Sequence, residues 1–394
     1  MVIRWLIGLL GYSIAVFTQA EIVTDGSIGQ AATLTGPNFA VTADLGRQEG
    51  NNLFHSFSLF NLNKEETATF SGPSSITNII SRITSSERSS IDGRIRSDIP
   101  QANLYLINAN GFIFGPNANF NVSGSLHLST ATVLKLGDSG QFSSHLTQNS
   151  LLVSAPPAAF GFLDSPPATI VIQNSRIGVG EGKMLSLSAG EISFEKGGLI
   201  ANAGRINLVG ITTADSLAIT PQGIALSGQV QLGKVVLQDN ASIDVGKQGA
   251  GEVFIRSGEF ELNNSDMVAN TFSNQNNGII DIDVNELRLL NGSSIDSRTF
   301  GLGRGGQIRI RAASHAILDN SDILTTSLSS EPQAGNAGDI SVTANQLDLT
   351  DSSISTATSG RGHGGDINIH VKESITLTTT RPEVDTAIRA SSVS

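Results

Sequence analysis

Apolar and polar residues alternate in five short stretches of the C-terminal part of the chain, and every stretch begins at a glycine. The glycines are 27, 28, 32 and 27 residues apart. Alternation with a period of two is typical of a strand that buries one face. A period of roughly 20 to 50 residues is typical of stacked repeats. The stretches begin at Gly251, Gly278, Gly306, Gly338 and Gly365.

A second motif follows within each of the first four repeats, where a small polar turn precedes an apolar residue. These residues are Met267, Ile295, Ile323 and Ile354, which lie 16, 17, 17 and 16 positions after the glycine. Each repeat has room for about three strands separated by turns, so we predict that one repeat forms one coil of a parallel β-helix. Coils of this kind stack about 4.8 Å apart.

Charged residues support this alignment of the repeats. Stacking places Asp281 beside Arg309, and Asp283 between Arg256 and Arg311. Opposite charges on neighbouring strands favour that register by some tenths of a kcal/mol for each exposed pair. A wrong alignment would pair charges at random, so the ladder is evidence for the predicted coils.

The repeats become less regular upstream, although the segments that start at Gly204 and Gly233 still resemble them. We therefore expect the β-helix to begin well before residue 251. No sequence that resembles a polar cap follows the last repeat, so we expect either an open C-terminal edge or a chain that continues beyond Ser394.

The first twenty residues have the pattern of a secretory signal peptide. Arg4 precedes an apolar stretch over residues 5–17, and small residues lead to a cleavage site after Ala20. The apolar stretch is shorter than the roughly 20 residues that a membrane-spanning helix needs. We predict a signal peptide over residues 1–20 and no membrane span in the mature chain.

Composition narrows the fold class and the partners. Hydrophobic residues make up 39% of the chain, enough for a large core, whereas aromatic residues make up only 5%. With 42 glycines, this predicts an all-β fold with an aliphatic core and many turns. The formal net charge of −11 disfavours nucleic acid as a partner. Cysteine is absent, which excludes disulfides and thiol chemistry.

Residues 21–210 are rich in phenylalanine and contain several ordered sequence blocks. The strongest is Ala102-Asn-Leu-Tyr-Leu-Ile-Asn-Ala-Asn-Gly-Phe-Ile-Phe-Gly-Pro-Asn-Ala118; the others span residues 51–63, 68–72, 78–84, 90–95, 123–126, 182–187 and 203–208. Their order resembles the filamentous haemagglutinin N-terminal domain of two-partner secretion exoproteins. We therefore divide the chain into the signal peptide, a two-partner-secretion (haemagglutination activity) domain over residues 21–210, and a β-helix repeat region over residues 211–394.

The resemblance implies a right-handed parallel β-helix with a non-repetitive N-terminal cap. It also implies recognition in the periplasm by an outer-membrane β-barrel transporter. The family's Asn-Pro-Asn-Gly-Ile signature, as the proposed secretion motif, falls on Asn108, Ala109, Asn110, Gly111 and Phe112.

Two of these five positions depart from the signature. Ala109 lacks the fixed φ of proline, and Phe112 is a larger apolar residue than isoleucine. Asn78 and Arg82 form a supporting motif. From the residues alone, this block is a strand, a turn and a second strand, and a purely structural role for the turn remains open.

The implied function is that of a secreted or cell-surface exoprotein, adhesin-like or haemagglutinin-like, which passes through the periplasm and contacts host-cell or glycan surfaces. We expect no enzymatic activity and no cofactor. The alternative is a secreted β-helical polysaccharide lyase or hydrolase that uses Asp281 and Asp283, whose carboxylates would lie about 7 Å apart on one face. The arginines predicted beside them argue against general-acid behaviour.

Three other patterns do not indicate a phosphate, metal or ligand site. The Gly-x-Gly-x-x-Gly over residues 301–306 precedes a strand and no helix, so it predicts a turn and not a phosphate site. The six histidines are scattered, which gives no metal site. His55 lies between phenylalanines and is predicted to be a hydrogen-bonded core or rim residue.

Overall fold

A computed structural model describes residues 21–392, except residues 214, 221, 227–229, 250 and 276–277. The predicted signal peptide lies outside the described residues. All regular elements described are β-strands, apart from the short 3₁₀ helix η1 (Ala43–Leu45). Within this described part, no helix has the length and apolar character needed to cross a membrane.

The first part of the chain contains twenty-two strands, most of them short. In chain order they are β1 (Ile22–Asp25), β2 (Ala31–Thr33), β3 (Asn38–Thr42), β4 (Arg47–Glu49), β5 (Asn52–Phe60), β6 (Thr67–Ser71), β7 (Asn78–Ile83), β8 (Ser89–Ile91), β9 (Arg94–Ser97), β10 (Asn103–Asn108), β11 (Phe112–Phe114), β12 (Asn119–Asn121), β13 (Leu126–Ser129), β14 (Val133–Leu136), β15 (Gly140–Ser143), β16 (Pro157–Phe162), β17 (Thr169–Gln173), β18 (Arg176–Gly178), β19 (Met184–Ala189), β20 (Glu191–Glu195), β21 (Gly198–Ile200) and β22 (Arg205–Gly210).

The second part of the chain contains several longer strands, up to 13 residues. They are β23 (Asp215–Thr220), β24 (Gly223–Leu226), β25 (Lys234–Gln238), β26 (Ser242–Asp244), β27 (Glu252–Asn263), β28 (Asp266–Val268), β29 (Ile279–Leu290), β30 (Ser294–Thr299), β31 (Gln307–Asp319), β32 (Asp322–Ser327), β33 (Ile340–Thr350), β34 (Ser353–Thr358), β35 (Ile367–Thr378) and β36 (Ala387–Ser392).

Successive coils stack through parallel strands on three faces. One face follows the order β5, β7, β10, β13, β19 and β22, and a second follows β8, β11, β17, β20 and β25. The two faces join in β27, whose first half pairs with β22 and whose second half pairs with β25. A third face holds β3, β6, β9 and β12, and then β18, β21, β26, β28, β30, β32, β34 and β36. The predicted parallel β-helix is confirmed.

The interior is a continuous column of apolar side chains, as the alternating pattern predicts, and it is mostly aliphatic, with phenylalanines concentrated in the N-terminal coils. Leu106, Leu128, Leu187 and Leu208 occupy equivalent positions in successive coils and are all fully buried. Each such side chain stabilises the fold by about 1.5 to 3 kcal/mol through burial. The stack of coils therefore has one common core.

Steric contact between coils explains the repeated glycine. A Cβ on Gly338 would lie 1.9 Å from the carbonyl oxygen of Gly306, and one on Gly365 would lie 1.9 Å from that of Gly338. Both clashes are with backbone, which cannot move aside without separating the coils. Only glycine fits where one coil's backbone passes this close to the next.

The small polar turn of the second motif contains an asparagine with a left-handed backbone conformation and a serine whose hydroxyl joins a ladder between coils. Asn264, Asn291 and Asn320 have φ of +48°, +57° and +50°, the left-handed region that asparagine tolerates better than most residues. The serine one or two residues after each asparagine links neighbouring coils. Ser293 Oγ accepts from the backbone N–H of Ser265 at 3.2 Å, and the pattern repeats one coil later.

The predicted charge ladder is present. Asp281 is paired in register with Arg309, and Asp283 lies between Arg256 and Arg311. Ion pairs of 2.9 to 3.1 Å join Asp281 to Arg256, Arg309 and Arg311. This confirms the alignment of the repeats.

The N-terminal end is closed by strands that break the parallel pattern. Strands β1 and β4 both pair antiparallel with β5, and β2 pairs antiparallel with β1. The predicted non-repetitive N-terminal cap is confirmed. It covers the edge that the first coil would otherwise expose.

A second sheet packs outside the β-helix, and the sequence pattern did not predict it. This extrahelical sheet is antiparallel and consists of β14, β15, β16, β23 and β24. Its strands come from two insertions, residues 130–168 and 211–233. The sheet therefore includes residues from both sides of the domain boundary predicted at residue 210. A separate hydrophobic core joins it to the outer wall of the β-helix and includes Phe54 and Tyr105 from the wall and Phe160 from the sheet.

Candidate functional site

The proposed secretion motif forms a tight turn between β10 and β11. The backbone N–H of Gly111 donates to the Asn108 carbonyl at 3.0 Å, and the N–H of Asn110 donates to Asn108 Oδ1 at 2.9 Å. An asparagine that bonds the backbone two residues on is a common way to initiate a turn. The predicted strand, turn and strand are confirmed.

Side-chain amides tie this turn to the preceding coil. Asn108 Nδ2 donates to Ser89 Oγ at 3.0 Å and to the Glu87 carbonyl at 3.2 Å. Asn110 Nδ2 donates to the Ser85 carbonyl at 2.7 Å. Both amides therefore hold one corner of a coil against the next.

Gly111 is required where it stands. Its φ is +99°, and a Cβ there would lie 2.5 Å from the Thr169 carbonyl of the following coil. Ala109 is half-buried at the second turn position, which favours proline. Phe112 begins β11, is fully buried, and stacks on Phe114 with ring centroids 5.6 Å apart.

Asn78 belongs to an asparagine ladder. Asn103 Nδ2 donates to Asn78 Oδ1 at 3.1 Å, and Asn78 Nδ2 donates to Asn52 Oδ1 at 2.9 Å. Asn52 Nδ2 then donates to the carbonyls of Val153 and Ala155 at 3.1 and 2.7 Å. The ladder thus connects three coils to the segment that precedes β16.

Arg82 is the centre of a buried polar cluster. Its Nε donates to Ser56 Oγ at 2.7 Å, one Nη to Ser27 Oγ at 2.9 Å, and the other to Ser150 Oγ at 2.9 Å and to the Ser143 carbonyl. The guanidinium carbon lies 4.2 Å from the centroid of Phe142. The Arg82 cluster, as the name is used below, consists of Asp25, Ser27, Ser56, Arg82, Thr84, Ser143 and Ser150.

Hydroxyl groups connect Arg82 to its counter-charge, Asp25. Burial raises the pKa of Asp25, but hydrogen bonds from Ser27, Ser56 and Thr84 outweigh it and hold this pKa below its usual value. Burial lowers the pKa of Arg82 to about 10, opposed by the charge of Asp25. Both groups are therefore ionised at neutral pH.

The structure brings the two proposed motifs onto neighbouring coils. Arg82 is paired in register with Ile107, the residue before the turn. The motif side chains are largely inaccessible: Asn108 is 0%, Arg82 3% and Asn78 7% exposed. Only Ala109 and Asn110 of the turn are half-buried. In the folded chain, these side chains hold neighbouring coils together and do not form an open surface.

The alternative acidic pair does not have free carboxylates. Asp281 is 4% exposed and bonded by three arginines, and Asp283 pairs with Arg311 at 2.9 Å. Ion-paired carboxylates of this kind are poor general acids. The geometry therefore gives no support to a lyase or hydrolase site at this pair.

The remaining candidates have structural environments. The 301–306 segment is a turn, in which Gly303 O accepts from Thr299 Oγ1 at 2.6 Å. His55 is fully buried, and its Nε2 lies 3.2 Å from the Thr42 carbonyl. In the described ranges, no three His, Cys, Asp or Glu side chains come together as a metal site requires.

Comparison with known proteins identifies the family. A family model described as the TPS secretion domain matches residues 20–253, which is more than half of the chain. The chain belongs to this family. A TPS secretion domain marks a substrate of two-partner secretion, so the protein is an exoprotein exported across the outer membrane, and its partner is an outer-membrane transporter. The match continues beyond residue 210 and includes both insertions of the extrahelical sheet.

Two solved structures resemble the chain. The HMW1 secretion domain from Haemophilus influenzae is 17% identical, with a TM-score of 0.48, and the alignment covers 91% of this chain and 97% of that one. The filamentous hemagglutinin secretion domain is 12% identical, with a TM-score of 0.39, and the alignment covers 92% and 100%. A comparison with curated proteins gave no match.

Sequence reasoning missed most of the partners of the residues in the proposed secretion motif and its supporting motif. Asn52 and Asn103 could have been found, because they lie 26 residues before and 25 residues after Asn78, about one coil length. Ser56, 26 residues before Arg82, has the same spacing, but Ser27, Ser143 and Ser150 carry no such signal. They come from segments that are up to 68 residues from Arg82 in sequence.

Proposed function

We propose that the unfolded chain presents residues 108–112, supported by Asn78, to its outer-membrane β-barrel transporter in the periplasm, and that the chain then coils outside the cell. The observation that carries this proposal is the burial of most of these side chains, all except Ala109 and Asn110. A residue that is 0 to 7% exposed in the folded chain is available to a partner only before folding.

Folding outside the membrane would make export irreversible. Every coil added buries another aliphatic row, such as Leu128 and then Leu187, and this burial opposes return through a narrow pore. The proposal needs no fixed docking surface on the folded protein. It assigns the folded β-helix to the outside of the cell.

We also propose an adhesin-like or haemagglutinin-like role for the exported protein, in contact with host-cell or glycan surfaces. Its support is the family, together with a wall of paired charges such as Asp281 with Arg309, which leaves no free carboxylate pair there. The protein should bind cells without releasing product. A polyuronate depolymerisation assay tests this, because robust product release would favour the enzyme alternative.

The transport proposal is tested by export of motif variants. Deletion of residues 102–118, or the milder Asn108→Ala, should leave the protein in the periplasm of cells that contain the transporter. The control is Leu208→Ala, a core substitution outside the motif that destabilises the fold by about 2 to 5 kcal/mol. Export of Asn108→Ala at the level of the wild type would remove the recognition role, and equal retention of Leu208→Ala would show that lost stability alone blocks export.

A further inference from the structure

We propose that the Arg82 cluster forms late in folding and then holds the N-terminal cap and the extrahelical sheet against the β-helix. It can form only when residues 25–150 are all on the same side of the outer membrane. This inference rests on the proposed function, because it concerns a chain that crosses the membrane unfolded. It assigns Arg82 a role after transport and not in recognition.

Three separate parts of the molecule meet at this side chain. The cap contributes Ser27, which follows β1, and the β-helix wall contributes Ser56 on β5. The extrahelical segment contributes the carbonyl of Ser143 at the end of β15 and the hydroxyl of Ser150. Strands β1 and β4 already pair the cap with β5 of the wall, but none of the strand pairings among the described residues joins the extrahelical sheet to either part. Arg82 therefore adds a polar connection between the sheet and the other two parts.

The order of closure follows from distances along the chain. Arg82 is 26 residues from Ser56, about one coil, but 55 from Ser27, 61 from Ser143 and 68 from Ser150. Coils that pair with their immediate neighbours close short loops. The entropic cost of loop closure increases with length, so the contacts to Ser143 and Ser150 form after the neighbouring coils.

Burial of the charge makes closure all-or-none. Arg82 is 3% exposed, against the ring of Phe142 and beside Ile107. A guanidinium there without its hydroxyl and carbonyl partners would be a buried, unpaired charge, which is strongly unfavourable. A partly assembled cluster is therefore less stable than either the open or the closed arrangement. The cluster cannot form until both Ser27 and Ser150 have crossed the membrane, whichever end of the chain crosses first.

The experiment compares full-length Arg82→Gln with the wild type in cells that contain the transporter. The control is Arg96→Gln, since Arg96 forms an exposed ion pair with Asp98. We expect Arg82→Gln to be exported within twofold of the wild type. Trypsin should then cleave the exported variant after Arg47, in the cap strand β4, at least tenfold faster. Cleavage after Arg361, in an exposed turn of the last coils, is the internal reference and should not change.

Two outcomes would overturn the proposal. Retention of Arg82→Gln in the periplasm, with normal export of Arg96→Gln, would show that Arg82 acts in recognition. Wild-type resistance of the exported Arg82→Gln protein to cleavage after Arg47 would show that the cap does not depend on the cluster. Ser150→Ala, which removes one hydroxyl, should give a smaller increase in the same cleavage, about threefold.

A measurement on the purified full chain separates this proposal from the proposed function. A late-forming contact affects mainly unfolding, so Arg82→Gln should unfold at least tenfold faster and refold within twofold of the wild-type rate. Equal slowing of refolding would contradict late closure. If the wild type itself stays in the periplasm, the transport proposal fails, while these rates still decide whether the cluster closes late.

Discussion

The rings of Tyr105 and His127 stack on adjacent coils, with centroids 4.3 Å apart and an interplanar angle of 9°. Both side chains lie on the outer wall and are buried. Burial lowers the pKa of His127 to about 3. Burial also lowers that of His55 to about 4, against an opposing hydrogen bond to Thr42 and the charge of Asp44. Both imidazoles are therefore neutral in the folded chain at neutral pH.

These two histidines predict a loss of stability in acid. In the unfolded chain they take up protons below a pKa of about 6.5, whereas the folded chain resists protonation down to about 4 and 3. Stability should fall as pH decreases from about 6.5 towards 4, by roughly 2 to 3 kcal/mol for each histidine between pH 7.5 and 4.5. Urea unfolding at pH 7.5 and at pH 4.5 measures this loss of stability.

The matched variants are His127→Phe, which keeps a ring beside Tyr105, and His363→Gln, which changes an exposed histidine. His127→Phe should remove about half of the acid sensitivity. His363→Gln should not alter it. An unchanged pH profile for His127→Phe would mean that this buried ring is not the source of the effect.

The charge ladder predicts unequal effects of two similar substitutions. Asp281→Asn removes the shared partner of three arginines at a buried position, and we expect a loss of about 2 kcal/mol. Asp283→Asn acts at a side chain that is 47% exposed, with one ion pair, and should cost less than about 1 kcal/mol. Urea midpoints of both variants test the ranking, and equal losses would contradict it.

The glycine column predicts that one added methyl group disrupts coil stacking. Gly338→Ala would place a Cβ 1.9 Å from the Gly306 carbonyl, and we expect a loss of about 2 kcal/mol or more. Gly180→Ala is the matched control, because its Cβ would meet only Lys183 Cγ at 3.7 Å. Thermal denaturation should show a large shift for the first and almost none for the second. Similar melting temperatures would show that the coils can separate at little cost.

The asparagine ladder predicts coupling between neighbouring coils. Asn78→Ala removes three side-chain hydrogen bonds, with Asn52, Asn103 and Thr77, and leaves the amides of Asn52 and Asn103 without a partner on that side. We expect a loss of about 1 to 3 kcal/mol. Asn119→Ala, an exposed position on β12, should change stability by less than about 0.5 kcal/mol. A double-mutant cycle of Asn78→Ala with Asn103→Ala should be non-additive.

The C-terminal coils could be predicted in detail because their pattern is local and repeated. The spacing from Gly306 to Gly338 and the pairing of Asp283 with Arg311 both follow from a single alignment of repeats. The N-terminal turn at Asn108 was predictable from turn chemistry and family resemblance. In these cases, the determining contacts lie within one coil or between adjacent coils.

The extrahelical sheet and the Arg82 cluster could not be predicted in this way. Strand β16 pairs with β23, more than 50 residues later, and neither belongs to a repeat. Serine is common throughout the sequence, so nothing distinguishes Ser143 and Ser150 as partners of Arg82. Contacts of this kind depend on tertiary packing that leaves no period in the sequence.

The two insertions leave the winding of the chain undisturbed. Strand β13 pairs in unbroken register with β10 and β19, although residues 130–168 leave the coil directly after it. The corner between two faces can therefore accommodate segments of very different length while the strands on either side keep their positions. Such corners are the sites at which foreign sequence could be grafted. A single residue inserted within a strand would instead turn the buried side chains of that strand outward.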